Sequence, residues 1–115
     1  GELMERIGEV EESEYFRTEA LEFLEKEEVI KARWFIQLIS FYRRHSQHDK
    51  ALRIIRQAIQ ELPEEAVFHN WLGDAYRTDG ILYRAKEEYE QAVILDPQND
   101  SYRRKLKKVE LDIEF

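Results

Sequence analysis

Residues 66 to 99 read Ala66-Val-Phe-His-Asn-Trp-Leu-Gly-Asp-Ala-Tyr-Arg-Thr-Asp-Gly-Ile-Leu-Tyr-Arg-Ala-Lys-Glu-Glu-Tyr-Glu-Gln-Ala-Val-Ile-Leu-Asp-Pro-Gln-Asn99. Leu72-Gly73 is followed by Tyr76. Ala85, Tyr89 and Ala92 come next at four- and three-residue steps, and Pro97 closes the unit. Such steps keep side chains on one face of a helix. The preceding stretch answers in register. Pro97 maps to Pro63, Ala92 to Ala58, Ala85 to Ala51, Tyr76 to Tyr42 and Leu72 to Leu38, each at the spacing 97 − 63 = 34 and without a gap. Two tandem units of equal length predict two stacked helical hairpins.

The order Leu72-Gly73-x-x-Tyr76, Ala85-x-x-x-Tyr89, Pro97 resembles the tetratricopeptide (TPR) repeat, a helix–turn–helix unit whose period matches this spacing. The likeness is close over 32–99, loose to 115 and poor before 32. It implies an all-α fold, a right-handed solenoid of helical hairpins (a TPR-like superhelix). The expected segments are a divergent acidic N-terminal helical segment at 1–31 (a degenerate repeat or cap), one repeat at 32–65, a second at 66–99 and a capping helix at 100–115.

Composition agrees with helices. Of 115 residues, 37% are charged and 43% hydrophobic, with four Gly and two Pro. A sheet protein needs more turn residues and more β-branched runs. The absence of cysteine excludes disulfides and thiolate metal sites and leaves the redox compartment open. No apolar run approaches ~18 residues, so no membrane insertion is expected. The N-terminus has no basic segment before an apolar run, which reads against a signal peptide. The net charge of −7 is uneven. Residues 1–31 hold four basic and eleven acidic side chains, 4 − 11 = −7, so the remainder is neutral. Nucleic acid is not an expected partner, because affinity there rests on phosphate neutralisation.

In chain order, Leu3, Ile7 and Val10 share a helical face. Ser13 is a candidate cap for a second helix, which Phe16, Ala20 and Leu24 continue. The next helix is expected from Ala32 to about Arg44, with Trp34, Phe35, Leu38, Phe41 and Tyr42 as its apolar stripe. Ser46 and Asp49 are candidate caps for a helix from Lys50 to about Leu62, which Pro63 stops. The family favours Gly after Leu38; Ile39 stands there, which implies a wider helix crossing. Gly73 keeps the glycine, at a helix cost of about 1 kcal/mol relative to Ala. Asp79-Gly80 ends the next helix with Gly80 at the left-handed cap position. A further helix covers about Leu82 to Leu95. His69 and Trp71 stand where the family prefers a single Trp. Asn99 or Asp100 caps the last helix. Its inner face is Tyr102, Leu106 and Val109, and Arg103, Arg104, Lys105, Lys107 and Lys108 solvate the rest.

Catalytic constellations are scarce. His45, His48 and Asp49 are metal-ligand types, but they fall in a turn and are read as a polar helix end. His69 is read as a core or groove residue. Glu64-Glu65 and Glu87-Glu88 are read as solvated surface, since adjacent helical residues do not converge. No phosphate-binding glycine loop or nucleophile elbow is present. No cofactor, no metal site and no enzymatic activity are expected. The resemblance instead implies a concave groove lined by the first helix of each repeat. Carried over by position, its first repeat presents Arg33, Ile36, Ser40, Arg43 and Arg44. The second presents Val67, Asn70, Asp74, Arg77 and Thr78, and Arg104 with Lys108 extends the line. Guanidinium forks suit carboxylates. The expected function is therefore a non-catalytic scaffold or adaptor. Its partner is an acidic or C-terminal peptide held by Arg43, Arg44 and Arg77, with Asn70 on the peptide backbone. The places of Ile36 and Ser40 lack the Lys and Asn of chaperone-tail clamps, which argues against that subclass. Homo-oligomerisation of a larger protein is the alternative, and RNA binding along the Arg/Lys line a distant third.

Overall fold

The structure, a computed structural model, describes residues 26–114. The expected N-terminal positions Leu3, Ile7, Val10, Ser13, Phe16, Ala20 and Leu24 lie outside the described residues. Five α-helices make up the described chain, and no strand occurs among the described residues. They are α1, helical over residues 26–44, α2 at His48–Glu61, α3 at Ala66–Thr78, α4 at Leu82–Leu95 and α5 at Asp100–Glu114. None of the described helices is long and apolar enough to cross a membrane.

The chain falls into two compact units, Gly1–Arg33 and Trp34–Phe115. In the first, the described residues 26–33 are helical, with Ala32 buried and Arg33 exposed. The expected start of a helix at Ala32 is corrected: the helix is already formed at Lys26. No Gly or Pro stands between Lys26 and Lys31 to stop it, and Lys and Glu are good helix formers.

In the second unit, local chemistry sets the helix ends. Ser46 has φ 57 and Gly80 has φ 79, both left-handed. Around Ser46, its own N–H donates to the Arg43 carbonyl at 3.3 Å and the Gln47 N–H to the Tyr42 carbonyl at 2.9 Å. Around Gly80, its N–H donates to the Arg77 carbonyl at 3.0 Å and the Ile81 N–H to the Tyr76 carbonyl at 2.9 Å. Both are Schellman caps, which satisfy carbonyls that the helix end leaves unpaired. Their separation, 80 − 46 = 34, is the period of the side-chain pattern. Ser46 and Asp49, the expected caps of α2, are corrected: Ser46 closes α1, and Gln47 is the N-cap of α2, without a side-chain cap bond. The ends of α2 and α4 also repeat. Leu62 N–H donates to the Ala58 carbonyl and Asp96 N–H to the Ala92 carbonyl. The following turns are closed by Glu65 to Leu62 and by Asn99 to Asp96, each at 3.2 Å. The backbone thus recurs at the period read from the side chains.

Each helix from α2 onward packs on the next: α2 on α3, α3 on α4, α4 on α5. The sequence pattern puts Ala51, Ile55, Ala58 and Ile59 on the inner face of α2; the first three are buried and Ile59 is half-buried. Ala85, Tyr89 and Ala92 of α4 are buried as well. Tyr89, Ala85 and Val109 form one cluster, with Tyr76, Leu82 and Leu106 against it. Burying a side chain of this size contributes about 1.5–3 kcal/mol. The stripe expected on α1 is corrected. Phe35 and Ile39 are buried, whereas Trp34 and Phe41 are exposed. One helical step rotates a side chain by about 100°. Trp34 is therefore turned to the flank of the side that Phe35 presents to Phe68 of α3, at 6.0 Å between rings, and its own ring lies edge-on to Phe35 at 5.1 Å. Asn99 is the cap of α5, its Oδ1 accepting from the Tyr102 N–H at 3.2 Å.

Candidate functional site

Helices α1, α3 and α5 are tied together through one carboxylate. Asp74 of α3 faces Arg43 of α1 at 3.6 Å and Lys105 of α5 at 3.1 Å. The two cations are equally spaced along the sequence from the acid, 74 − 43 = 105 − 74. Asp74 also accepts the Tyr89 hydroxyl at 2.6 Å. Lys105 reaches the Asn70 Oδ1 as well, at 3.1 Å. The expectation of a fully solvated Lys105 is corrected. A long aliphatic stem lets its ammonium run inward to two acceptors. Burial, and after it the Asp74 carboxylate, push the Tyr89 phenol well above its ordinary range, so it remains a donor.

The residues expected to line a groove are therefore of two kinds. Arg43, Asn70, Asp74 and Arg77 are engaged between helices. Arg43 lies over the Trp71 ring at 5.3 Å, and Arg77 donates to Asp112 of α5 at 3.0 Å. Thr78 hydroxyl donates to the Asp74 carbonyl. Arg44 and Arg104 bond only their own helices among the described residues, to the Ser40 and Asp100 carbonyls through Nε at 3.4 Å. Both are exposed, as is Lys108. Ile36, Ser40 and Val67 are half-buried. Arg33 belongs to the first unit.

A cleft of about 190 Å³ opens between α1, α2 and α3. Ile55 and Ala75 contribute apolar walls; Arg43, Asp74 and Thr78 contribute polar ones. Ala75 is half-buried there. The equivalent place one period later is Val109, which is fully buried.

His69 is buried where the α2–α3 turn meets α4. Its Nδ1 lies 2.8 Å from Glu88 Oε2 and its Nε2 2.9 Å from the Pro63 carbonyl. A carboxylate and a carbonyl only accept, so the two contacts favour the protonated ring, in which both nitrogens donate. The Glu88 hydrogen bond raises the His69 pKa; burial opposes it, and the Pro63 carbonyl adds to the rise. Glu88, read from sequence as solvated surface, is corrected to the partner of a buried histidine. The signal for this was absent from local spacing, since the two are 19 residues apart. His45 Nδ1 bonds the Phe41 carbonyl at 2.8 Å, and the ring stacks on Phe41. Among the described residues, no group of three His, Asp or Glu is placed to hold a metal ion. No protein-family model matches the chain, and no curated protein matches it either.

Proposed function

We infer that the chain is a non-catalytic, TPR-like interaction module whose first helices offer a basic face to an acidic peptide. The observation that carries this reading is the coincidence of two periods. Side chains and backbone hydrogen bonds repeat at one and the same spacing, from Tyr42 to Asn99. Such a repeat sets α1, α3 and α5 side by side, as the Arg43–Asp74–Lys105 link requires. A right-handed solenoid of hairpins is the architecture that this periodicity favours.

Charge on that face is divided by role. Arg43 and Arg77 are already matched to Asp74 and Asp112. They hold the helices and shape the surface. Arg44, Arg104 and Lys108 are the cations open to a ligand carboxylate. An acidic peptide would lie across α1, α3 and α5 with its carboxylates on Arg44 and Arg104, the bidentate geometry that guanidinium favours.

The test is fluorescence polarisation of labelled Glu-rich and free-carboxylate peptides against the full chain. Arg44→Glu with Arg104→Glu should abolish binding while circular dichroism keeps its helical signal. Unchanged affinity in that double variant would remove the basic face from the reading.

A further inference from the structure

The cleft between α1, α2 and α3 has a counterpart one period later, and the two differ in what fills them. In the later one, Leu82 and Val109 pack with Ala85 and Tyr89, and Val109 has no exposed surface. One period earlier the places of Leu82 and Val109 hold His48 and Ala75, since 82 − 34 = 48 and 109 − 34 = 75. One branched apolar side chain gives way to a polar one, and the other to a single methyl group. The space of about 190 Å³ lies at those two residues. An apolar cavity of about 150 Å³ takes up one benzene molecule. The cleft is thus the size of one aromatic ring with a short arm. Its apolar walls are Ala51, Leu52, Ile55 and Ala75, with the Trp71 ring beside them. Apolar walls with a few polar groups at the edge are the usual make-up of a ligand site.

Charge at the cleft selects the rest of the ligand. One cation, Arg43, stands in its lining against Asp49, Asp74 and Asp79. Arg43, Asp74 and Thr78 have partners within the protein. Arg43 faces Asp74, Asp74 also holds Tyr89 and Lys105, and the Thr78 hydroxyl donates to the Asp74 carbonyl. The side chains of Asp49 and Asp79 are exposed and have no hydrogen bond or ion pair among the described residues. Asp49 suits the first turn of α2, where the helix dipole favours an acid. Asp79 is at odds with its place. It is the C-cap of α3, the end at which the dipole favours a cation. The cations near them in sequence are directed elsewhere, Arg77 to Asp112 and Lys50 over the Tyr42 ring. A cation that arrives from outside meets two open carboxylates and the negative end of α3.

We propose that the cleft binds an organic ammonium. Its apolar body, about one aromatic ring, sits against Trp71, Ile55 and Ala75, and its charged head meets Asp49 and Asp79. A free arylalkylamine has this chemistry, and so does a polypeptide whose first residue is aromatic and keeps its α-ammonium. The ligand is opposite in charge to the acidic peptide inferred above, and the site does not rest on that reading.

The test is two-dimensional NMR of the full chain, read at the Trp71 indole N–H and the Ala75 methyl. The probes are 2-phenylethylamine, the neutral 2-phenylethanol, the anion 3-phenylpropanoate, and Phe-Gly-Gly-amide with and without an N-acetyl group. 2-Phenylethylamine should shift both signals and saturate. The alcohol should bind about five-fold more weakly, the loss of two exposed ion pairs. The anion should not bind. Asp49→Asn with Asp79→Asn should weaken the amine by the same factor and leave the alcohol as it was. Ala75→Val, which fills the space, should abolish saturation by every probe. Saturation by the free amine alone assigns the site to a small molecule. Saturation by the peptide, lost on acetylation, assigns it to a polypeptide N-terminus. Equal affinity for amine, alcohol and acid overturns the proposal, because the cleft is then an apolar space without selection by charge. An amine affinity unchanged in the double asparagine variant overturns it too, as does the absence of saturation by any probe. Arg44→Glu with Arg104→Glu should leave amine binding intact, so that failure here and failure of the basic face are separate results.

Discussion

Gly73 lies against the ring of Tyr89 so closely that a Cβ at residue 73 would stand 2.7 Å from both Cδ1 and Cε1. The ring cannot swing aside, because Tyr89 is fully buried and its hydroxyl is held by Asp74. Replacement of Gly73 by Ala sets two effects against each other. Helix propensity gains about 1 kcal/mol. Overpacking costs about 1–3 kcal/mol. The clash should win, with Gly73→Ala destabilised and Gly73→Leu more so in urea unfolding. One period earlier the pair is Ile39 and Ile55, two medium residues where α3 and α4 have a small and a large one. Gly73→Ala combined with Tyr89→Ile should therefore cost less than the sum of the single changes. Strict additivity would show that the clash is not at this ring.

Asp74 holds three partners at once, Tyr89, Lys105 and Arg43. Asp74→Ala should cost about 2 kcal/mol, within the range for hydrogen bonds to charged groups. Asp74→Asn keeps an acceptor for the tyrosine and gives up the charge, so its cost should be about half. Guanidinium chloride melts of the two variants decide between the roles. Equal losses would mean that charge, not the Tyr89 hydrogen bond, carries the contribution.

The pH dependence follows from His69. Its folded pKa is raised above the ordinary value of 6.5, first by Glu88. A raised pKa means that the folded state holds the proton more tightly than the unfolded chain. The resulting stability is fully present below the unfolded value and is lost as pH rises through the folded one. Urea midpoints should therefore fall as pH rises from below 6.5 through the raised folded value. His69→Gln should be less stable at the lower pH and should flatten the profile. A wild-type profile as flat as that of the variant would remove the imidazolium from the account.

The end of α3, the start of α5 and the inner faces of α2 and α4 were legible because they depend on neighbours in sequence. Gly80 marks its own left-handed position, Asn99 caps three residues ahead, and alanines at three- and four-residue steps define α2 and α4. The cross-helix polar contacts were not legible. His69 with Glu88, and Asp74 with Lys105, join residues 19 and 31 apart. Which side chains meet there depends on how helices cross, and a repeat period does not encode that. Lys105 illustrates the difficulty. On a helical wheel it belongs with four other cations, and only the position of Asn70 and Asp74 turns it inward. Trp34 misled for the opposite reason. Its apolar character matched a buried stripe, but one residue of rotation separates it from Phe35.

The cleft between α1, α2 and α3 gives the last prediction. Ala75 stands where α5 has Val109, and Val109 is packed against α4 with no exposed surface. The same backbone, one period earlier, leaves a space of about 190 Å³ beside Ala51, Ile55 and Ala75. Ala75→Val should extend two methyl groups into that space. Cavity filling commonly adds about 0.5–2 kcal/mol, and β-branching in α3 subtracts a few tenths. The net should be a higher thermal midpoint with an unchanged helical signal. Ala75→Phe should exceed the space and lose stability by overpacking. A rise for valine and a fall for phenylalanine would place the wall of the cleft at residue 75. A fall for both would mean that α2 and α3 already close over the alanine in solution.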